Sequence, residues 1–279
     1  MNYRIAVDSS CNLFSFPGVD FASVPLKIVT DKKEYVDDEK LDCALMLEEL
    51  AAYKGRSGTA CPNVGEWLEA FGQGERVFAL AITSSLSGCY NACVQAKEVY
   101  EQTYPGRRVS CLDSLSAGPE LVLIMEKLRE LIGLGLDFEE IDRRIREYMR
   151  HTHLMFMLES VDNLAKNGRI SPLAAKTVGV LGIRIMGRAS DEGTLEQLHK
   201  CRGQAKALQA IVREMEVHGY AGGKLRIAHC FNDSGAKELQ NMIKGSWPQT
   251  DSSIMPFTGL CTFYGEKGCI MAAFEDGEA

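Results

Sequence analysis

Val77-Phe78-Ala79-Leu80-Ala81-Ile82 running into Thr83-Ser84-Ser85-Leu86-Ser87-Gly88 is the stretch that decides the fold of this chain. An unbroken apolar run reads as a strand buried on both faces, and a hydroxyl-rich loop stops it. From Cys89 to about Tyr100 the pattern turns helical. The same order recurs on either side. Residues 3–7 end in Asp8-Ser9-Ser10, and residues 109–112 end in Asp113-Ser114-Leu115-Ser116-Ala117-Gly118, after which Pro119 opens a helix. Pro is tolerated there because the first helical N–H has no intrahelical partner to lose. Strands alternating with helices of this length predict a mainly parallel sheet with helices on both faces. Ligands of such sheets sit beyond the carboxyl ends of the strands. The three serine-rich loops are therefore expected to share one crevice.

Outward from this core, Gly58-Thr59-Ala60-Cys61-Pro62-Asn63 reads as another rim loop, with Thr59 near the start of a helix over residues 64–71. Residues 24–29 and 33–36 read as a hairpin turning at Asp31-Lys32, over the cleft or against a second domain. Residues 138–149 carry apolar positions at helical spacing, with Glu139–Arg143 and Glu140–Arg144 favourably ordered. After His151-Thr152-His153 the apolar run 154–158 starts a new strand, which sets the expected boundary between domains 1–152 and 153–279. The second half reads as a helical region over 164–181, a hairpin around Asp191-Glu192-Gly193, a helix over 202–218, a strand over 224–230 and a helix over 235–243. Final strands are expected near Cys261 and Ile270. The fold class is thus α/β: a mainly parallel sheet with flanking helices in the first domain, a smaller α/β second domain, and a ligand between them.

Composition narrows the function. With 279 residues, 46% hydrophobic and 25% charged, the chain is an ordinary globular one. Its 31 Lys and Arg against 38 Asp and Glu leave a net charge of -7, which argues against nucleic acid, whose binding rests on clustered cations. No apolar run approaches the roughly 20 residues that span a bilayer. Ten cysteines are dispersed, and no charged, apolar leader precedes the first strand; the expectation is a reduced, cytoplasmic protein.

Catalytic motifs are missing where they would have to be. None of the strand-end loops holds the Gly-x-Ser-x-Gly elbow of a serine hydrolase, and neither phosphate-binding glycine motif stands between a strand and a helix. His151-x-His153 lacks a third nearby metal ligand, and Cys89-x3-Cys93 suits core packing. What remains is a set of hydroxyls and backbone N–H groups at helix starts, which suit an anionic head group. Ser87 and Gly88 are the leading pair. Ser84, Asp8, Ser9, Asp113 and Ser114 lie on the same expected rim. Arg169 and Arg202 stand beside glycines, with forked donors suited to a phosphate or a carboxylate.

In this order and spacing, these segments resemble the DegV family of fatty-acid-binding proteins over nearly the whole chain. The resemblance rests on Asp8-Ser9-Ser10-Cys11-Asn12-Leu13, Thr59-Ala60-Cys61-Pro62-Asn63, Ser84-Ser85-Leu86-Ser87-Gly88, Asp113-Ser114, Leu164-Ala165-Lys166-Asn167-Gly168-Arg169-Ile170-Ser171 and Lys200-Cys201-Arg202-Gly203. It implies a two-domain α/β carrier holding one long-chain fatty acid between its domains, without a cofactor and without catalysis of its own. It further implies a carboxylate near Thr59, Ser87 and Gly88, and presentation of the acid to a separate fatty acid kinase, with Arg169 and Arg202 as surface groups for the kinase or the acyl-phosphate. The chain departs from the family at Tyr264-Gly265-Glu266-Lys267-Gly268, where the usual segment is His-x-Gly-Pro-Gly. Tyr264 can still donate one hydrogen bond to a head group, whereas Glu266 would repel a carboxylate unless Lys267 compensates or the loop points away. Cys61, Asn63, Cys89 and Ile183-Arg184-Ile185 are further departures. The competing expectation is an enzyme acting on a small polar or phosphorylated substrate in the same crevice. A third is an empty relative that works through protein contacts.

Overall fold

The computed structural model describes residues 2–170 and 182–279. Its first half contains β1 (Tyr3–Asp8), β2 (Asp20–Val24), β3 (Lys27–Thr30), β4 (Glu34–Val36), α1 (Cys43–Ala52), β5 (Ser57–Ala60), α2 (Val64–Phe71), β6 (Arg76–Ala81), α3 (Cys89–Thr103), β7 (Arg108–Asp113), α4 (Pro119–Gly133) and α5 (Phe138–Tyr148). The second half contains β8 (Thr152–Leu158), α6 (Asp162–Lys166), β9 (Ile183–Ala189), β10 (Leu195–Arg202), α7 (Gln204–Val217), β11 (Lys224–His229), α8 (Asp233–Ser246), β12 (Asp251–Pro256), α9 (Gly259–Gly265) and β13 (Ile270–Glu275).

The apolar runs that open the chain build the expected parallel sheet, in the order β2-β1-β6-β7. Its two central strands are buried on both faces: Ile5, Ala6, Val7 and residues 77–81 are fully covered. Local chemistry sets the helix starts. Asn63 and Glu66 form a reciprocal capping box on α2, Asp137 caps α5, and Pro119 occupies the first turn of α4. Two expectations fail here. Residues 24–29 are not one strand: Val24 ends β2 beside Asp8, Pro25 has no N–H for a ladder, and the chain resumes pairing at Lys27. The hairpin β3–β4 does form, but Ser57–Ala60 joins it as a third strand, antiparallel to β3, with Thr59 opposite Ile28. Thr59 therefore sits in a strand rather than beside a helix start. The Ser-Gly-Thr-Ala sequence has no strand pattern, and pairing with β3 overrides it.

The second half departs further from alternation. Its sheet runs β10-β9-β8-β13-β11-β12, and only β11 and β12 are parallel. Residues around Cys261 form α9, not a strand, and α7 begins at Gln204, leaving Arg202 as the last residue of β10. Of the helical region expected over 164–181, α6 covers the start, and residues 171–181 lie outside the described residues.

α4 joins the two large sheets. It packs on α5 and also on β8, β11 and β13, and Leu121, Val122, Leu123, Ile124 and Met125 are all buried. A helix apolar on this much of its circumference is stable only when covered on more than one side. One core accordingly combines Ile5 and Phe78 of the parallel sheet, Leu121 and Leu128 of α4, and Leu154 and Ala273 of the antiparallel sheet. Arg226 on β11 adds a two-pronged ion pair with Glu126 of α4, at 2.9 and 2.8 Å.

Candidate functional site

A narrow apolar cleft of about 80 Å3 opens where the carboxyl end of β6 faces β8, β10 and β13. Ile82, Leu86, Phe156, Leu158, Leu195 and Met271 form walls, and Thr59, Ser87, Arg169 and Tyr264 supply polar groups. Thr59 Oγ1 lies 2.8 Å from Tyr264 Oη, so β5 and α9 meet through two hydroxyls. The Arg169 guanidinium stands 5.7 Å from the centre of the Tyr264 ring. Its Nε donates to Leu86 O at 3.2 Å and its Nη1 to Asn167 O at 2.6 Å. Arg169 is therefore a half-buried cation in the cleft wall, tied to the serine loop, and not a surface group. Beyond it the cleft widens past Ser85, Gly168, Thr194 and Gln197.

The loop over residues 83–88 is held in place from two directions. Ser87 N–H donates to Thr83 O at 3.2 Å, and Ser87 Oγ accepts from Cys89 N–H at 3.2 Å, at the start of α3. Across the cleft, Thr83 Oγ1 donates to Gly193 O at 2.9 Å and Ser85 Oγ to Glu192 O at 2.5 Å. The β9–β10 turn is thereby fastened to this loop. Gly88 is the exposed cap of α3 and has no side-chain partner; it is not among the lining residues.

Several rim residues expected from the sequence lie elsewhere. Asp8 is fully buried behind the cleft: Oδ1 accepts from Ser10 N–H and Oγ–H at 3.0 and 2.5 Å, and Oδ2 from Ile82 N–H at 2.6 Å and Cys89 Sγ at 3.2 Å. Burial pushes its carboxyl above the usual range, against the pull of those bonds. Ser9 donates to Asp37 and accepts from Leu26 N–H, at 2.8 and 3.0 Å. Asp113 accepts from the N–H groups of Ser84 and Leu115, and Ser114 bonds within its own turn to Ser116. Ser84 is exposed and lies outside the cleft lining. Arg202 is exposed at the end of β10, opposite Ile183 of β9, and is not among the residues that line the cleft.

The altered segment near the C-terminus resolves its own conflict. Glu266 has a left-handed φ of 56°, and its Oε1 accepts from Asn163 N–H at 3.0 Å near the start of α6. The carboxylate caps a helix and is turned away from the hydroxyl pair. His151 and His153 both meet Asp276, at 3.2 and 3.3 Å, and neither lines the cleft. Two groups escaped sequence reasoning. The walls Phe156 and Leu158 carried a signal, since they alternate along a strand already expected; Leu195 and Met271 carried none. Asp37 sits in Tyr35-Val36-Asp37-Asp38-Glu39, which reads as an exposed acidic run, yet it is fully buried.

Fold and cleft together define an α/β protein with a narrow apolar slot between two sheets and a hydroxyl lip at one side. The chain belongs to the DegV family, whose model, described as that of an uncharacterised protein, matches residues 2–275. A DegV domain-containing protein of Streptococcus pneumoniae is 41% identical over 279 residues, covering 99% of each chain. Among solved structures, a DegV family protein from Eubacterium eligens loaded with heptadecanoic acid is 43% identical, with a TM-score of 0.96 over 98% of this chain and 99% of that one. The Streptococcus pneumoniae fatty acid kinase (Fak) B3 protein loaded with linoleic acid is 41% identical, with a TM-score of 0.96 over 99% of both. A DegV protein from Ruminococcus gnavus refined with vaccenic acid is 30% identical, with a TM-score of 0.89 over 98% of this chain and 100% of that one.

Proposed function

We propose that this chain is a non-catalytic carrier that binds one long-chain fatty acid between its halves, residues 1–152 and 153–279, and presents it to a fatty acid kinase in the cytoplasm. The acyl chain occupies the apolar cleft, and the carboxylate meets Thr59, Ser87 and Tyr264, with Arg169 adjacent. One observation carries the reading. A slot walled by Ile82, Phe156, Leu158 and Met271 ends at paired hydroxyls, in a chain 43% and 41% identical to proteins crystallised with fatty acids. Burial of apolar carbon supplies about 0.8 kcal/mol per CH2, so a long chain provides the affinity and a few donors need only orient the head. Solvation of the carboxylate passes to three hydroxyls and a nearby cation, which suits binding.

Mass spectrometry tests this on protein purified without added ligand, under native conditions and after solvent extraction. A stoichiometric fatty acid is expected, and it would name the chain. An empty protein that also refuses a panel of saturated and unsaturated acids would sink the carrier reading. A co-purifying small polar or phosphorylated compound would favour the enzyme instead.

A further inference from the structure

Tyr264 reaches the cleft from α9, a helix of seven residues, too short to hold its direction without outside support. Asn12 Oδ1 accepts from Thr258 N–H at 2.9 Å and Asn163 Nδ2 donates to Phe263 O at 2.8 Å, but the N–H groups of the helix's first two residues both go to one carboxylate. Asp37 Oδ1 accepts from Gly259 N–H at 2.6 Å, and Oδ2 accepts from Leu260 N–H at 2.9 Å and Ser9 Oγ–H at 2.8 Å. Thr258 Oγ1, just ahead of the helix, lies 3.3 Å from the same oxygen. These donors come from the turn after β1 and from the start of α9, so Asp37 fastens the helix to the first half of the chain. The fit is close. A Cβ on Gly259 would stand 2.9 Å from Asp37 Oδ1 and 2.6 Å from Leu41 Cδ2.

Asp37 is itself fixed to the small sheet that carries Thr59. It follows β4, and its N–H donates to Leu26 O, just before β3, at 2.9 Å. Thr59 lies on β5, paired with β3, and touches Tyr264 Oη. The small sheet therefore grips α9 at both ends, by a carboxylate at the start and a hydroxyl near the finish. Ile28 and Tyr35 of the same sheet pack with Phe263 between those points.

We propose that Asp37 is a positioning residue for head-group binding: by fixing the start of α9 it sets where the Tyr264 hydroxyl stands relative to Thr59 and Ser87. This rests on the reading that Tyr264 meets the carboxylate of a fatty acid. It adds that the affinity of the lip is controlled from a buried site that touches no ligand.

The test is a double-mutant cycle on the full chain, with linoleic acid titrated calorimetrically and folding checked by circular dichroism and thermal melting. Tyr264→Phe and Asp37→Asn are each expected to weaken binding about tenfold, the loss of one well-placed hydrogen bond. The double variant is expected to stay near the same tenfold, because both changes act through one hydroxyl. Losses that multiply to about a hundredfold would overturn the proposal, as would a folded Asp37→Asn protein of unchanged affinity. Ser9→Ala is the milder partner if Asp37→Asn does not fold. It removes one donor from Asp37, should weaken binding about threefold, and must show the same lack of additivity with Tyr264→Phe. If wild type binds the acid and Tyr264→Phe does not weaken it, the positioning role falls while the carrier survives. If wild type takes up no acid, both fall together.

Discussion

Two loops of the parallel sheet occupy equivalent places, one after β1 and one after β6, on neighbouring strands, and both are rich in hydroxyls. Their fates are opposite. Asp8, Ser9 and Ser10 are fully buried, and their side chains bond to Ile82, Cys89, Asp37 and one another. In the second loop Ser84, Ser85 and Gly88 are exposed, and Ser87 lines the cleft. The third serine loop, after β7, resembles the first: Ser114 and Ser116 are buried, and Ser116 bonds to the buried carboxyl of Glu120. Composition marks where parallel strands end. In the closed loops buried carboxylates take up hydroxyls: Asp37 that of Ser9, Asp8 that of Ser10 and Glu120 that of Ser116.

The largest effect that would test this contrast is Asp8→Ala. Four donors lose their acceptor in a site without water access, and stability should fall by about 3 kcal/mol or more, read as a shifted denaturant midpoint. A loss below ~1 kcal/mol would mean the first loop is not the closed one. Glu120→Gln sharpens the same point through pH. Burial raises the Glu120 carboxyl above its ordinary value, against hydrogen bonds from Ser116 and Thr152. The fold then keeps a proton that the unfolded chain gives up. That contribution is complete below the ordinary glutamate value of about 4.3 and fades as pH rises through the raised one. Wild-type melting temperature should therefore decline with rising pH more steeply than that of Glu120→Gln; parallel profiles would show that Glu120 contributes none of the slope. In the open loop, Ser87→Ala should weaken fatty-acid binding about three- to tenfold with little change in melting temperature, and unchanged affinity removes Ser87 from the site. Ser85→Ala should be the mildest, within about 0.5 kcal/mol by denaturation. A larger loss would show that its bond to Glu192 O holds more than an exposed contact does.

Apolar runs and their stops made the parallel sheet and its helices legible, because burial on both faces leaves no other reading of residues 77–82. Ser87 was legible from its strand-end loop, Thr59 from a rim loop and a resemblance in motif order, and Tyr264 only as the residue standing where the family has another. The antiparallel sheet was not, since whether neighbouring strands run parallel is decided by connections rather than by the strands themselves. β5 was hidden because Ser57-Gly58-Thr59-Ala60 acquires its strand state from β3. Asp37 was hidden for an electrostatic reason: a carboxylate is ordinarily an exposed residue, and only the assembled fold supplies neutral donors enough to bury one.

α4 has a consequence for the integrity of the molecule. Its apolar surface is shared between both halves, and Arg226 and Glu126 neutralise each other across that junction. A fragment truncated near residue 152 would bare the face of α4 that β8, β11 and β13 cover, and would leave Glu126 without its cation. Such a piece should aggregate when expressed alone, whereas the intact chain should melt in a single cooperative transition.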